Sequence, residues 1–211
     1  MHYEEKLFIK LTQPVLEFLK KTNVSAEELT LFRIFFGLFT ALILFSGVYV
    51  YSLIIISFYQ LVMLLDYIDG PLARYRKTFK ISWVYLDLMT HLILAVLFLS
   101  AVILSYYFEK NSLFFLILGF IMIILFLLNN IFNKKSPLDR WTNIKKYPHN
   151  WKNNWISPII SWAKIERPFN LFFIFIILNQ KKLLISFYFL IYLLSTIYKF
   201  YSEFKNLENE K

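Results

Sequence analysis

Three of the chain's four aspartates fall within 22 residues: Asp66, Asp69 and Asp87. They share the stretch 66–91, DYIDGPLARYRKTFKISWVYLDLMTH, with His91. Apolar runs lead into and out of it, LVMLL before and LILAVLFL after. A carboxylate at membrane depth is strongly disfavoured, so each of these acids marks a candidate functional position. Their clustering calls for a common partner, and a bound cation is the simplest one. Asp66 and Asp69 are spaced i,i+3, and Asp87 and His91 i,i+4. On helices each pair lies on one face, and the TFK turn at 78–80 lets the two helices run back antiparallel. Metal ligands at Asp66, Asp69, Asp87 and His91 would suit one or two Mg²⁺ or Mn²⁺ ions, with phosphate oxygens completing the shell; the imidazole favours Mn²⁺. Without an ion, the same acids read as a helix-end cluster paired with Arg74, Arg76, Lys77 and Lys80.

Gly70 and Ala73 carry little side chain and leave room for a phosphate or nucleotide against the backbone. Pro71 has no N–H to donate to the carbonyl of Tyr67, so a bend is expected there. Upstream, Ser25 followed by Glu28 has the spacing of a capping box ahead of the first apolar span.

The pattern Asp66-x-x-Asp69-Gly70-x-x-Ala73-Arg74, then twelve residues, then Asp87, resembles the signature of the CDP-alcohol phosphatidyltransferase family. LTLFR at 29–33 is similar to the Thr-x-x-Arg with which that family's first spanning helix begins; Glu27 stands where an Asn is common. The specific likeness covers about 26 residues. It implies a divalent-metal-dependent membrane enzyme of phospholipid or related lipid synthesis. Such an enzyme transfers a substituted phosphate from a CDP-linked alcohol, such as CDP-diacylglycerol, to an acceptor alcohol and releases CMP. By position, Asp66, Asp69 and Asp87 inherit metal binding, and Gly70 and Ala73 the nucleotide contact. Arg74, with Arg76 and Lys77 beside it, is expected to hold phosphate groups. A homodimer is also implied.

Two positions depart from the signature. Trp83 stands where the family has Gly, and His91 where it has a fourth Asp. An imidazole takes a proton near neutrality and also ligates metal, so His91 keeps both a catalytic role, beside Asp87, and a metal role. The same departures motivate a rival, a non-catalytic relative that binds metal or nucleotide. A further rival is an intramembrane prenyltransferase, which usually presents two Asp-rich clusters where this chain has one.

Composition sets the stage for that chemistry. Of 211 residues, 58% are hydrophobic and mean hydropathy is +0.55, well above a soluble domain. The expectation is an all-α membrane protein: six transmembrane helices with an N-terminal interfacial amphipathic helix, in a single domain over 1–211. Residues 1–30 form the juxtamembrane part, 31–201 the six-span bundle with a cytoplasmic segment at 134–154, and 202–211 a cytoplasmic tail. The spans are placed near 31–48, 50–73, 81–106, 112–133, 155–178 and 182–201. Leu7, Leu11, Val15 and Phe18 recur at helical spacing opposite Lys6, Lys10, Lys20 and Lys21, as on a helix lying at a membrane surface. No secretory signal is read at the N-terminus. Cys is absent, which removes disulfide and thiol chemistry.

With both termini inside, 20 of the 23 basic residues lie on the inner side, all but Lys110, Lys181 and Lys182. That asymmetry places the acidic stretch on the cytoplasmic face, here of a prokaryotic inner membrane. The net charge of +9 is thereby assigned to topology and anionic lipid, with no nucleic-acid partner. Trp141, Trp151, Trp155 and Trp162 mix with cations between 133 and 167 as an interfacial anchor. Ser157, Ser161 and Lys164 form a polar stripe that, with Arg167, faces either the substrate cavity or water.

Overall fold

Helix boundaries in this chain follow local chemistry closely. The computed structural model describes residues 3–77, 81–131 and 171–209, all helices and short turns. The helices are α1 (Tyr3–Lys20), α2 (Ala26–Phe45), α3 (Tyr49–Arg76), α4 (Ile81–Lys110), α5 (Leu113–Ile131), α6 (Leu171–Ile177) and α7 (Lys181–Asn209). Ser25 caps α2 as its spacing predicts: the Ser25 N–H donates to Glu28 Oε2 at 2.7 Å, and the Glu28 N–H donates to Ser25 Oγ at 3.1 Å. The cap starts α2 five residues before the expected 31. At the other ends, Lys77, Asn111 and Asn179 take left-handed backbone after α3, α4 and α6, a conformation that stops a helix. Gly47, at φ +72°, makes the turn from α2 to α3, and a Cβ there would also stand 2.9 Å from Ser105 Oγ.

Five helices, α2 to α5 and α7, are long and apolar enough to cross a bilayer. This is the composition of an integral membrane protein. Helix α3 runs through Pro71 without ending. The expected span at 155–178 is represented only by α6; its remainder lies outside the described residues. The same is true of the 134–154 segment, His149, the four Trp of that region, the Ser157–Ser161–Lys164 stripe with Arg167, the 78–80 turn with Lys80, and residues 210–211.

The central core joins all six of α2 to α7. Tyr59 of α3 packs edge-on to Phe98 of α4 at 4.9 Å, and Phe98 meets Phe172 of α6. Phe172 donates its N–H to the buried Tyr188 hydroxyl of α7 at 2.8 Å. Close approach is built in with glycine: a Cβ on Gly37 of α2 would lie 2.5 Å from Leu94, and one on Gly119 of α5 would lie 2.6 Å from Ile103. Small residues at such crossings let membrane helices pack backbone to backbone. Outward faces carry Phe35, Leu42, Phe114 and Ile117, all exposed. Lipid chains cover such a surface; water would drive it to associate.

Residues 3–20 form helix α1, with Pro14 inside it. From the lysine row, Lys20 lies over the Tyr75 ring of α3 at 4.9 Å. Leu16 and Leu19 pack on a second small core of Ala26, Leu29, Ile68 and Leu72, with Thr12 buried on the same side. Leu11, Val15 and Phe18 stay exposed on an adjacent face.

Polar side chains tie the two ends of the bundle. Near one end, Asn129 of α5 donates to Tyr192 O at 3.0 Å and to Thr196 Oγ1 at 2.6 Å, and accepts from Ser195 Oγ at 2.7 Å. At the opposite end Lys181, buried at the start of α7, spends all three ammonium donors. They go to Gly47 O at 3.1 Å, Ser105 Oγ at 2.9 Å and Glu109 Oε2 at 3.1 Å. The sequence reading places Lys181 in an outer loop; it is instead the clasp for three segments. Lys181→Met removes these three bonds, an expected loss of about 2 kcal/mol. Thermal unfolding in detergent should fall by roughly 5 °C; an unchanged midpoint would contradict the clasp.

Candidate cation site

The acidic stretch is positioned by α2, α3 and α4 together. Asp66 and Asp69 sit on α3, ten and seven residues before its end at Arg76, and Asp87 and His91 in the second and third turns of α4. The expected convergence is present. Ligand atoms of Asp66, Asp87 and His91 lie within 4.8 Å of one another. His91 Nε2 is 2.9 Å from Asp66 Oδ1 and 3.7 Å from Asp87 Oδ1. Two ligands on opposite sides of one Mg²⁺-sized ion stand about 4.2 Å apart, so the spacing of this group is of the order one ion needs, although Arg33 bonds the same carboxylate oxygens. Two carboxylates and one imidazole also form a chemically suitable donor set for Mn²⁺.

Asp69 stands beside that group, outside the 4.8 Å set. Its Oδ2 accepts from Thr30 Oγ1 at 3.0 Å and lies 3.4 Å from Arg33 Nη1. Arg33 is the residue that organises the whole cluster. Its Nη1 donates to Asp66 Oδ1 and its Nη2 to Asp87 Oδ1. The Arg33 side chain is only 2% exposed, whereas Asp87 is 41% exposed and forms the open side. Beyond the cluster toward the bundle interior, a small cleft is walled by Val62, Met63, Leu94, Ala95 and Phe98.

Sequence reasoning did not assign Arg33 or Thr30 to the site. Their signal is the pair itself: a Thr and an Arg at i,i+3 at the start of a span, LTLFRIFFGLFTALILF, whose one other polar side chain is Thr40. A buried arginine there needs carboxylate partners.

The predicted nucleotide-side residues fall into different surroundings. At Gly70 the space a Cβ would take is bordered, among the described residues, only by the Arg74 guanidinium at 3.8 and 3.9 Å. Packing among the described residues therefore gives no reason for glycine. Ala73, by contrast, packs on the small core under α1, which supplies a packing reason for its size. Lys77 is the left-handed residue closing α3 and is exposed. Arg76 donates to Leu19 O at 3.1 Å and Thr22 O at 2.5 Å, fastening the end of α1 to α3. Trp83 lies in the first turn of α4, and its side chain is outside the described residues.

No family model matches this chain, and no curated protein matches it.

Arg76→Ala is expected to speed amide hydrogen exchange over residues 19–24 by about tenfold, the loss of one to two hydrogen bonds to a charged donor. Unchanged exchange would leave Arg76 free for the phosphate role read from sequence.

Proposed function

We propose that this chain is a divalent-metal-dependent transferase. It would move a substituted phosphate from a CDP-linked alcohol to an acceptor alcohol at the cytoplasmic surface of a membrane. The observation that carries this reading is the meeting of Asp66, Asp87 and His91, from two apolar helices, beside the open backbone of Gly70 and the Arg74 guanidinium. Asp66 and Asp87 would hold Mg²⁺ or Mn²⁺. When bound, the ion would stabilise charge developing on the diphosphate as CMP leaves. His91 turns one nitrogen, Nε2, toward the cluster. A single nitrogen cannot ligate metal and accept a proton together, so the reading gives it the proton of the acceptor hydroxyl. The acceptor oxygen then bonds to phosphorus in line, and the diphosphate P–O bond breaks toward CMP. Arg74 stands where it can meet a phosphate over Gly70.

The membrane arrangement follows the same reading. The C-terminal end of α5 is tied to Thr196 late in α7, whereas α7 begins at Lys181 beside Gly47 and Glu109, at the opposite end. Residues 131 and 181 thus lie at opposite ends, and the reading includes a sixth crossing to which α6 belongs. The basic residues Arg74, Arg76, Lys77 and Lys199 gather at the end with the acidic cluster, and Lys110, Lys181 and Lys182 at the far end. Positive-inside bias then puts the cluster at the cytoplasmic side. Helix α1 would lie at that surface with Leu11, Val15 and Phe18 in lipid.

A second reading, a non-catalytic relative, has its own support: Arg33 already neutralises part of the acidic charge without any ion. The two separate in purified protein supplied with CDP-diacylglycerol, Mn²⁺ and a panel of acceptor alcohols. CMP release is expected in the wild type and a drop of more than about 100-fold in Asp87→Asn. Full activity in Asp87→Asn would remove the scheme. Nucleotide binding without turnover on any acceptor would favour the second reading.

A further inference from the structure

We propose that Arg33 is a built-in stand-in for the divalent ion: it holds the site assembled when metal is absent and competes with metal for the same oxygens. This rests on the reading of Asp66 and Asp87 as a metal centre. Arg33 bonds Oδ1 of Asp66 and Oδ1 of Asp87, and these are the same oxygens that lie nearest His91 Nε2. A cation held by both carboxylates through these oxygens would have to take them from the guanidinium. Arg33 cannot lose its charge by deprotonation, because a guanidinium stays protonated in proteins. Metal binding must therefore move it or work against its positive charge.

Two features fit a side chain able to give way. Its Nε–H, fully buried, has no acceptor among the described residues, so only the two carboxylate bonds at its tip would have to be exchanged. Asp69 is the third carboxylate within reach, at 3.4 Å, and Thr30 holds it on the Arg33 side. On release from Asp66 and Asp87, the guanidinium keeps a counter-ion by shifting toward Asp69. Asp69 is thereby assigned to Arg33, and the ion to Asp66 and Asp87. Charge agrees with this division. Three carboxylates and one guanidinium leave two negative charges when His91 is neutral, the amount one divalent ion cancels. Arg33 is in these terms a positioning residue that acts through the carboxylates.

The test is Mn²⁺ affinity of the detergent-purified protein without nucleotide, read from the electron paramagnetic resonance signal of free Mn²⁺. Arg33→Gln should bind Mn²⁺ at least about tenfold more tightly than wild type, within the range set by groups just outside a metal's ligands. Its metal-free form should unfold at lower temperature and regain stability as Mn²⁺ is added. Arg33→Lys, which keeps a charge but not the two-pronged grip, should fall between them and serves where Arg33→Gln does not fold. Equal or weaker Mn²⁺ binding in the variant than in wild type would overturn the proposal, because an arginine that only braces the carboxylates weakens the site when removed. Absence of Mn²⁺ binding in every form would instead bring down the metal-centre reading, and the stand-in with it.

Discussion

Like charges from different helices meet in this bundle only because a guanidinium stands between them. Asp66 and Asp69 come from α3 and Asp87 from α4, and Arg33 reaches all three from α2 while almost wholly buried. Burying several carboxylates together without compensation is strongly unfavourable in a low-dielectric setting, and removing one member of such a set leaves the others stranded. The crossing of α2 against α4 at Gly37 and Leu94 brings α2 close enough for Arg33 to reach. The capping box at Ser25 sets where α2 begins, and so which turn of it carries Thr30 and Arg33. The acidic end is thus specified by the first span as much as by the two helices that own the acids.

The opposite end follows the same logic with the sign reversed. There the buried charge is Lys181, and the partners that come to it are a carbonyl, a hydroxyl and one carboxylate. Between the two ends the bundle is apolar and aromatic, from Tyr59 through Phe98 and Phe172 to Tyr188. Electrostatics thereby fixes the ends, and packing fills the middle. The difference is in how complete the pairing is. Lys181 has every donor used, whereas among the described residues the acidic cluster keeps an open side at Asp87, an unpaired Nε–H on Arg33 and open space at Gly70. An incompletely satisfied charged cluster beside an opening is where a ligand has something to contribute.

Much of this was legible in the linear sequence, for reasons that can be named. Apolar run lengths gave the five described crossings to within a few residues, except where the Ser25 cap starts α2 early and where α4 and α7 run on to Lys110 and Asn209. The i,i+3 and i,i+4 spacings, with a three-residue turn between, predict that Asp66, Asp69, Asp87 and His91 meet; three of them do, and Asp69 stands apart with Thr30 and Arg33. Periodicity, however, reports one helix at a time. It cannot show that Arg33 lies against residues more than thirty positions away, nor that Asp69 turns toward α2. It also cannot distinguish an alanine kept small for a nucleotide from one kept small by α1, which is the case the packing at Ala73 raises. Arg76 and Lys181 show the same limit: a charge counted on a helix end or loop proved to be hydrogen-bonded to backbone in another segment.

The proposed cation site at Asp66 and Asp87 can be seen in anomalous scattering from crystals grown with Mn²⁺. A peak is expected within about 2.5 Å of carboxylate oxygens of both residues, with the Arg33 guanidinium displaced toward Asp69. No peak there at millimolar Mn²⁺, with Arg33 still bridging the two carboxylates, would contradict it.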